Sequence, residues 1–538
     1  MLASLLSRCC CCRWARIEAD QAARRFGGAA RRKAKERPRT RMPTPRKGLT
    51  IAVEGCCHGE LDRIYATLKA IEDQQGKKID LLVCCGDFQA ARNLGDLECM
   101  AVPPKYRKIM DFYKYYMGKV EAPYPTLFVG GNHEAINHLR ELYYGGWVAK
   151  NIYFMGYAGV VNFGGLRFGG ISGIFNERHY HMGHFERLPY TDSNMRSAYH
   201  VRELEVFRLK QIKRPLDVFV SHDWPRGIVE WGDKQLLINR KPFFKNEIDS
   251  HRLGSPVAAE LLRALKPGHW FSAHLHVKFP AVVDHKGTGK ITKFLALDKC
   301  LPKRDFIQLV NFPQATGPHE FSYDEEWLAV LRGTHQLMNV GRGRCVLPDM
   351  DGPSREDLEF VCDKLAAHGA EIPHNFERTA EPYSSRVVRP KGEPRHQRKP
   401  DGERSPQGGP PTRGRMPSVD SVHPQTMRFL NMLELPYNLH YGQDEKLHLP
   451  QYSAAGQGMG YEGPQNVTNP EEISLDEEDD VDDDELDCCH GRGVEHVDDD
   501  EEDGQGGGKE GSEQATVCVD QTSLQDTEDL RRATDVGL

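Results

Sequence analysis

Five apolar segments of this chain end in residues that commonly bind metal ions, and this recurrence restricts the fold more than any other feature. In chain order, GCCHGE follows LTIAVE, GD follows IDLLVCC, GGNHE follows TLFV, SHD follows DVFV, and AHLH follows HWFS. Short apolar runs of this kind are typical of buried strands. Because the carboxyl ends of parallel strands meet at one edge of an α/β sheet, the five motifs are predicted to lie close together.

The segments between these strands carry helical periodicity, which favours an α/β domain with mixed sheets over residues 49–312. Between residues 60 and 76, for example, Leu61, Ile64 and Leu68 fall on one helical face. Further helices are predicted at 103–119, 197–213 and 256–267. The last of these is preceded by Ser255, a suitable N-cap.

Residues 313–378 contain two more helical patterns, which predict a small helical domain packed on the first. The second pattern begins with Ser354 and Asp357 in Ser-x-x-Asp spacing, a capping signature. Residues 379–538 are dominated by polar and charged residues and are predicted to form a disordered tail. Within it, the apolar stretch 427–436 is either a chance cluster or a short helix that docks back on the body.

The two ends of the 538-residue chain carry opposite charge. Residues 1–48 contain fourteen Lys and Arg against three acidic residues, and residues 471–503 contain nineteen acidic residues. Such blocks are typically disordered. The basic extension fits a mitochondrial transit peptide and, further along, a nuclear import signal, and an extension without a targeting role is an equal alternative. No apolar run reaches the length of a membrane span, so no membrane partner is predicted.

The residue types of the five motifs suit a pair of divalent metal ions. The fifteen cysteines include adjacent pairs, unlike a secreted disulfide framework, so Cys56 is interpreted as a thiol or a metal ligand. Two metal ions about 3.5–4 Å apart can activate a hydroxide for in-line attack on phosphorus. Such a pair needs a bridging carboxylate, and Asp87 is the candidate in this set. Taken singly, each histidine is more often a structural residue than a ligand.

The motifs GCCHGELDRIY, LLVCCGDFQA, FVGGNHEA, SHDWP and AHLHVKF resemble those of the calcineurin-like metallophosphoesterase superfamily and, within it, the RNA lariat debranching enzymes. The superfamily commonly opens with Asp-x-His, and Cys56 stands here in place of that aspartate. The resemblance implies an αββα sandwich. It also implies a hydrolase that cleaves the 2′,5′-phosphodiester at the branch of an excised intron lariat, which yields linear RNA for turnover.

The resemblance also implies roles for individual residues. One metal site would hold Cys56, His58, Asp87 and His276, and the other would hold Asp87, Asn132, His222 and His274. His133 would act as the general acid toward the departing oxygen, and Glu134 would stabilise the turn. A thiolate among imidazoles suits Fe(II) or Zn(II) better than Mg(II), and Mn(II) is a further candidate.

Residues 172–202 are too long and too polar for an ordinary connection within a compact domain. Aromatic rings stack on unpaired bases and Arg binds phosphates, so this insertion is predicted to bind branched RNA. Its place also matches the lariat recognition loop of the resembled family. The candidate contact residues are Tyr180, Phe185, Tyr190, Arg196, Tyr199 and Arg202. The alternative is a surface insertion whose aromatic side chains pack on the body.

Two other functions remain open from the sequence. A protein phosphatase or nuclease of the same superfamily would share the ligands, but phosphatases commonly carry GDxxDRG where this chain has GDFQAARNLGD. A catalytically inactive scaffold would bind RNA or splicing proteins through its charged ends, although the complete ligand set argues against it. The favoured hypothesis is a monomeric nuclear enzyme that acts on branched RNA and binds splicing or RNA-turnover proteins through its tail. Shuttling to the cytoplasm is left open.

Overall fold

Two mixed β-sheets packed face to face form the centre of the structure, a computed structural model that describes residues 48–384 and 414–439. All of these residues belong to one compact unit. The strands of the described residues are β1 Leu49–Glu54, β2 Leu81–Cys84, β3 Thr126–Phe128, β4 Gly146–Ala149, β5 Ile152–Phe154, β6 Ala158–Phe163, β7 Leu166–Ile171, β8 Val218–Ser221, β9 His269–Ser272, β10 Phe279–His285, β11 Lys290–Ala296, β12 Ile307–Phe312 and β13 Ser322–Tyr323.

Each sheet has a parallel centre and antiparallel edges. The first sheet has the order β12-β1-β2-β3-β5-β4, and the second has the order β10-β11-β9-β8-β7-β6-β13. In the first sheet, β1 pairs parallel with β2, and β2 with β3. In the second sheet, β8 pairs parallel with both β7 and β9. Neighbouring parallel strands share a direction, so the strands that carry the five motifs end at the same edge of the sandwich.

Helices cover both outer faces of the two sheets. They are α1 Leu61–Gln75, α2 Leu94–Leu97, α3 Phe112–Tyr116, α4 Ile136–Glu141, α5 Glu177–Tyr180, α6 Asp192–Ala198, α7 Glu203–Lys210, α8 Lys234–Arg240, α9 Lys245–Asp249, α10 Pro256–Leu265, α11 Glu325–Gly333, α12 Arg355–His368 and α13 Pro424–Met432. The layer between the sheets is apolar and includes Val53, Phe168 and Phe271. The apolar face of α1 packs on the first sheet. Helices α7 and α10 pack on the second. The predicted αββα sandwich is confirmed.

Two of these helices begin directly after the N-cap residues that the sequence predicted, Ser255 and Ser354. Oγ of Ser255 accepts a hydrogen bond from the backbone N of Ala258 (3.1 Å), and Oγ of Ser354 accepts one from the backbone N of Asp357 (3.0 Å). Each bond satisfies a backbone donor that the first turn of a helix leaves unpaired.

The segment 103–119 differs from the single helix predicted for it. The structure contains only a 3-10 turn at Pro104–Tyr106 and the short helix α3. The backbone N of Asp111 donates to the carbonyl oxygen of Gly59 (3.2 Å) and not to a carbonyl within its own segment. This long-range bond joins the segment to the turn after β1. The backbone at Asp111 therefore does not continue as the helix that the local periodicity predicted.

The chain after residue 312 contains two helices at the predicted places, α11 and α12, and adds to the core of the second sheet. Strand β13 pairs antiparallel with β6, and the buried residues of α11 lie in the same apolar cluster as α7 and α10. Helix α13 also packs on this core. The side chain of Gln425 bonds both the backbone N and the backbone O of Trp147 (2.9 and 2.8 Å). The apolar stretch 427–436 therefore belongs to a docked segment.

Several sequence predictions concern residues outside the described ranges. These are the basic extension up to residue 47 and the tail residues 385–413 and 440–538, which include the acidic segment 471–503. Within the described ranges, no helix has both the length and the apolar composition that crossing a membrane would need.

The docking of α13 predicts a measurable contribution to stability. Leu430 is fully buried, so Leu430→Ala would leave a cavity and lower the free energy of unfolding by about 2–5 kcal/mol. Val419 lies in the same segment and is 72% exposed, so Val419→Ala should change that free energy by less than about 0.5 kcal/mol. Urea unfolding of the two variants makes the comparison. Equal midpoints would mean that α13 lies outside the cooperative unit.

Candidate metal centre

The five strand-end motifs converge at one edge of the sandwich, where strands of both sheets end. Their side chains are Cys56 and His58 after β1, Asp87 after β2, Asn132 and His133 after β3, His222 after β8, and His274 and His276 after β9. The two sheets are linked directly here, because the backbone N of His274 donates a hydrogen bond to Sγ of Cys56 (3.2 Å). Residues from opposite sheets thus share one site.

One cluster of ligating atoms is formed by Cys56, His58, Asp87 and His276, in which one such atom from each residue lies within 4.8 Å of every other. Nε2 of His58 lies 3.3 Å from Nε2 of His276 and 3.8 Å from Oδ2 of Asp87. The Cys56 thiol is fully buried beside them. A donor set of a thiol and imidazoles binds transition metals in preference to Mg²⁺ or Ca²⁺.

A second cluster lies on the other side of Asp87. Nε2 of His222 is 3.3 Å from Oδ1 of Asp87 and 3.1 Å from Oδ1 of Asn132. The ring of His274 lies beside that of His222, with 4.9 Å between the ring centroids. The structure therefore groups the eight strand-end side chains around one shared carboxylate.

The second cluster gathers hydrogen-bond acceptors without a donor among them. Nδ1 of His222 lies 2.9 Å from the carbonyl oxygen of Cys85, which can only accept, so the ring proton resides on Nδ1. Burial lowers the pKa of His222, which keeps the ring neutral. Its Nε2 then presents a lone pair to the oxygens of Asn132 and Asp87. Lone pairs at this spacing repel each other unless a cation lies between them, so the residues present fit a metal ion.

Asp87 is ionised and shared between the two clusters. Burial by itself would raise the pKa of this carboxyl, but the polar groups packed around it hold the pKa well below its usual range. The backbone N of His133 also donates to Oδ1 (2.9 Å). Oδ2 faces the first cluster and Oδ1 faces the second, which is the geometry that a bridging ligand needs.

The turns that carry these side chains have an unusual backbone. His58, Asp87, His274 and His276 have φ values of 44°, 48°, 66° and 47°. This left-handed region is unfavourable for residues other than glycine. Such conformations persist where the surrounding structure over-determines them, and they cluster at functional sites.

Glu134 has the role in the turn that the sequence predicted for it. Its buried carboxylate accepts hydrogen bonds from the backbone N of Phe88 (2.7 Å), Gln89 (2.9 Å) and Gly131 (3.1 Å). These bonds join the turn after β2 to the turn after β3. They fix Asp87, which lies next to Phe88, against the residues that follow Gly131.

Two glycines are functional residues that the sequence reasoning missed. A Cβ at Gly131 would lie 2.2 Å from Oδ1 of Asp87, and a Cβ at Gly86 would lie 2.2 Å from Nδ1 of His222. Gly86 also has φ +118°, which a larger side chain rarely adopts. The signal was present in the sequence, since both glycines directly precede candidate ligand residues, Asp87 and Asn132, in the GD and GGN motifs.

The insertion 172–202 is attached directly to the turns of this centre. Near its start, the backbone N of Gly173 donates to the carbonyl oxygen of Gly130 (2.8 Å). The backbone N of Phe175 donates to Oδ2 of Asp223, next to His222 (3.3 Å). The insertion therefore rises from the edge of the candidate centre.

The structure divides the six predicted RNA-contact residues of the insertion into two groups. Tyr190, Tyr199 and Arg202 are only 6%, 6% and 1% exposed. Nη2 of Arg202 donates to the buried carboxylate of Glu186 (2.6 Å), and the two tyrosines pack in an apolar cluster with Met195. In this structure these three side chains pack inside the insertion and hold it together. Of the others, Arg196 is exposed and Tyr180 and Phe185 are half-buried.

An arginine from a distant part of the chain completes the surface of the insertion. The guanidinium of Arg342 lies 3.9 Å from the ring centroid of Phe185. The backbone N of His184 donates to the carbonyl oxygen of Asn339 (3.0 Å), so the two segments are joined. The only signal in the sequence was the short basic run GRGR at 341–344.

Gly131→Ala tests whether the centre requires this close approach to Asp87. The added methyl carbon would displace the carboxylate, so we expect metal affinity and phosphodiester hydrolysis to fall about ten- to a hundredfold. An added carbon at Gly343 meets nothing within 4 Å, which makes Gly343→Ala the control. Elemental analysis and hydrolysis of a small activated phosphodiester are the measurements. A folded Gly131→Ala protein with full metal content and activity would contradict the expectation.

Two protein-family models match the chain. The model described as calcineurin-like phosphoesterase matches residues 49–278, and the model described as lariat debranching enzyme, C-terminal domain, matches residues 289–438. The first match contains all residues of both ligand clusters. The second contains β11, β12, β13, the last three helices and the segment of Arg342.

Relatives of known name are similar over most of their length. Lariat debranching enzyme A of Xenopus laevis is 45% identical over 463 residues, which is 81% of this chain and 82% of the relative. The lariat debranching enzyme of Homo sapiens is 44% identical over 463 residues (81% and 80%), and that of Arabidopsis thaliana is 47% identical over 393 residues (73% and 87%). This chain therefore belongs to the lariat debranching enzyme family, within the calcineurin-like metallophosphoesterases.

Proposed function

We propose that this protein hydrolyses the 2′,5′-phosphodiester at the branch of lariat RNA and so produces a linear RNA. The observation that carries the proposal is the position of Asp87, whose two oxygens face two clusters of ligating atoms. A two-metal phosphoesterase requires such an arrangement. The motifs alone would suit many phosphodiesters, and the names of the relatives support a lariat substrate.

The proposed ligands of one ion are Cys56, His58, Asp87 and His276, and those of the other are Asp87, Asn132, His222 and His274. When bound, two divalent ions would activate a water molecule and offset the charge that builds up on the phosphate. The ring of His133 is close to Asp87, with 3.6 Å between Nδ1 and Oδ2, and is partly exposed. We assign to it the proton that the departing oxygen takes up as its bond to phosphorus breaks.

We propose Fe(II) or Zn(II) for the cluster that contains Cys56 and leave Mn(II) as a candidate for the cluster without a thiol. Burial, and then the charge of Asp87, raise the pKa of the Cys56 thiol well above its usual range. The thiol therefore needs the positive charge of a bound ion in order to ionise. Elemental analysis of the purified protein tests the assignment.

The metal ions cannot by themselves distinguish a 2′,5′ from a 3′,5′ linkage, because both present the same phosphate. We propose that discrimination comes from the insertion surface, defined by Arg178, Phe185, Arg196 and Arg342. The three arginines are exposed, and Arg342 stacks on Phe185. Arg binds phosphates, and an aromatic ring paired with Arg can hold an unpaired base.

We further propose that the protein acts as a monomer in the nucleus, where introns are excised. The acidic segment 471–503 would repel phosphates, so we assign its binding partners to splicing or RNA-turnover proteins.

The metal requirement predicts that a chelator abolishes cleavage of branched RNA and that Fe(II), Zn(II) or Mn(II) restores part of it. Asp87→Asn keeps the shape of the shared ligand but removes its charge, so turnover should fall by more than about a hundredfold. Asp73→Asn is the matched control, since Asp73 is an exposed carboxylate on α1.

Gel analysis of branched and linear RNA of equal length is the readout for these reactions. Full cleavage in excess chelator would refute the metal mechanism. Equal cleavage of the branched and the linear RNA would refute the substrate assignment.

The insertion surface predicts a selective loss of activity. In the double variant Arg196→Ala/Arg342→Ala, kcat/KM for branched RNA should fall about tenfold or more, because each Arg lost removes a charge-assisted contact to phosphate. Hydrolysis of a small activated phosphodiester should stay unchanged. Arg355→Ala is the control, because Arg355 is an exposed arginine on α12. Equal losses on both substrates would mean that the insertion surface only supports the fold.

A further inference from the structure

A groove on the helix-covered side of the second sheet is separate from the metal centre and from the insertion. It has a volume of about 580 Å³ and lies between α10, the end of β10 and the 3-10 turn Ile228–Trp231. Its floor is apolar and buried, with Ile228, Leu262 and Val283 among its residues. We call it the α10–β10 groove.

The rim of the α10–β10 groove is basic. Its cationic side chains are Arg226, Arg263, Lys266 and Lys286, and Asp284 is the one acidic side chain that lines it. Within the described part of the chain, none of the four cations has an acidic oxygen within 4.0 Å. The nearby helices differ in this respect, since Lys234 pairs with Glu230 at 2.9 Å and Lys245 pairs with Asp249 at 2.5 Å. The groove therefore concentrates positive charge that the fold does not neutralise.

Lys266, which lines the groove, has a left-handed backbone conformation that is unfavourable for a lysine. It follows the last residue of α10 with φ 48° and ψ 56°, and its backbone N bonds the carbonyl oxygen of Leu262. Glycine is the usual residue at this left-handed position after a helix, because it lacks the Cβ that strains the others. A cation is favourable at this end of a helix because of the helix dipole, and the ammonium group of Lys266 adds to the charge of the groove.

An exposed aromatic ring lies beside these charges. Trp231 lines the groove and is 40% exposed. A ring next to unpaired cations is the combination that binds single-stranded nucleic acid, in which bases stack on the ring and phosphates contact the cations.

The groove is connected to the edge that carries the metal centre. Arg226 lies four positions after His222, and β10 begins three positions after His276. From there β10 runs for seven residues, or about 23 Å, and its last residue, His285, lines the groove. An RNA chain that leaves the metal centre along β10 would therefore reach the α10–β10 groove.

We propose that the α10–β10 groove binds a single-stranded arm of the RNA whose branch lies at the metal centre. This assignment rests on the proposed function for the identity of the substrate. An acidic protein segment, such as residues 471–503 of this chain, would also meet the positive charge. RNA is favoured because it also accounts for the exposed ring of Trp231 and for the path along β10.

The test measures binding of a fluorescent linear oligoribonucleotide, about 12 nucleotides long, to the full chain by anisotropy. Trp231→Ala should weaken binding about tenfold through loss of one stacked base. Arg263→Gln/Lys266→Gly removes two cations, and the glycine also relieves the strained backbone, so the variant should remain folded. It should reduce the slope of log affinity against log salt by about 1.4, since each phosphate contact to a single strand contributes about 0.7.

The matched controls are Phe243→Ala and Lys245→Gln, which alter an exposed ring and an exposed cation outside the groove. Both should leave the affinity and the salt slope unchanged. In cleavage assays, the groove variants should raise KM for a branched RNA with long arms and leave a branched RNA with one-nucleotide arms unaffected.

Each result decides the proposal. Unchanged affinity and salt slope in the groove variants would overturn it. It would also be overturned if those variants weaken binding of a peptide of residues 471–503 but not of the oligonucleotide. Binding to the linear oligonucleotide requires no catalysis. If the protein binds the oligonucleotide through Trp231 but does not cleave branched RNA, the groove is supported and the proposed function is refuted. Normal cleavage of branched RNA, with oligonucleotide binding unaffected by the variants, would refute only the groove.

Discussion

Electron-pair donors converge on both sides of one buried carboxylate, and most of the architecture serves to hold them there. Nε2 of His222 lies 3.1 Å from Oδ1 of Asn132 and 3.3 Å from Oδ1 of Asp87. None of these three atoms carries a hydrogen. This arrangement is repulsive without a cation, so the surrounding fold must impose it. Two sheets, a buried glutamate and two glycines supply that constraint. The stability of the core and the chemistry of the centre are therefore linked.

The constraint is carried by contacts between strand ends. Glu134 ties the turn after β2 to the turn after β3, and the carbonyl oxygen of Cys85 fixes the tautomer of His222 across the sandwich. Four of the clustered residues, His58, Asp87, His274 and His276, have left-handed backbone, so their side chains cannot relax by following regular strand geometry. Rigid turns of this kind fix the positions of ligands before a metal ion binds, which reduces the reorganisation that binding requires.

The insertion 172–202, to which we assign substrate selection, is built from different elements than the two ligand clusters. The insertion 172–202 arises next to the metal centre, but segments from the C-terminal part of the chain support it. Sδ of Met416 lies 3.0 Å from the backbone N of Tyr190, and Arg342 covers Phe185. The second family match, which ends at residue 438, includes both of these supporting residues. The C-terminal region thus acts on the insertion as well as on the core of the second sheet.

The five motifs, the order of the strands that carry them and the caps at Ser255 and Ser354 could all be inferred from the sequence, because each depends on neighbouring residues and on the shared direction of parallel strands. The break in the predicted helix 103–119 could not, because a hydrogen bond between distant segments overrides local periodicity there. Exposure is also a property of distant contacts. Arg202 and Tyr190 are buried, whereas Arg196 in the same insertion is exposed. The basic α10–β10 groove is formed by three segments that are distant in the sequence, so its concentration of positive charge becomes apparent only when they are packed together.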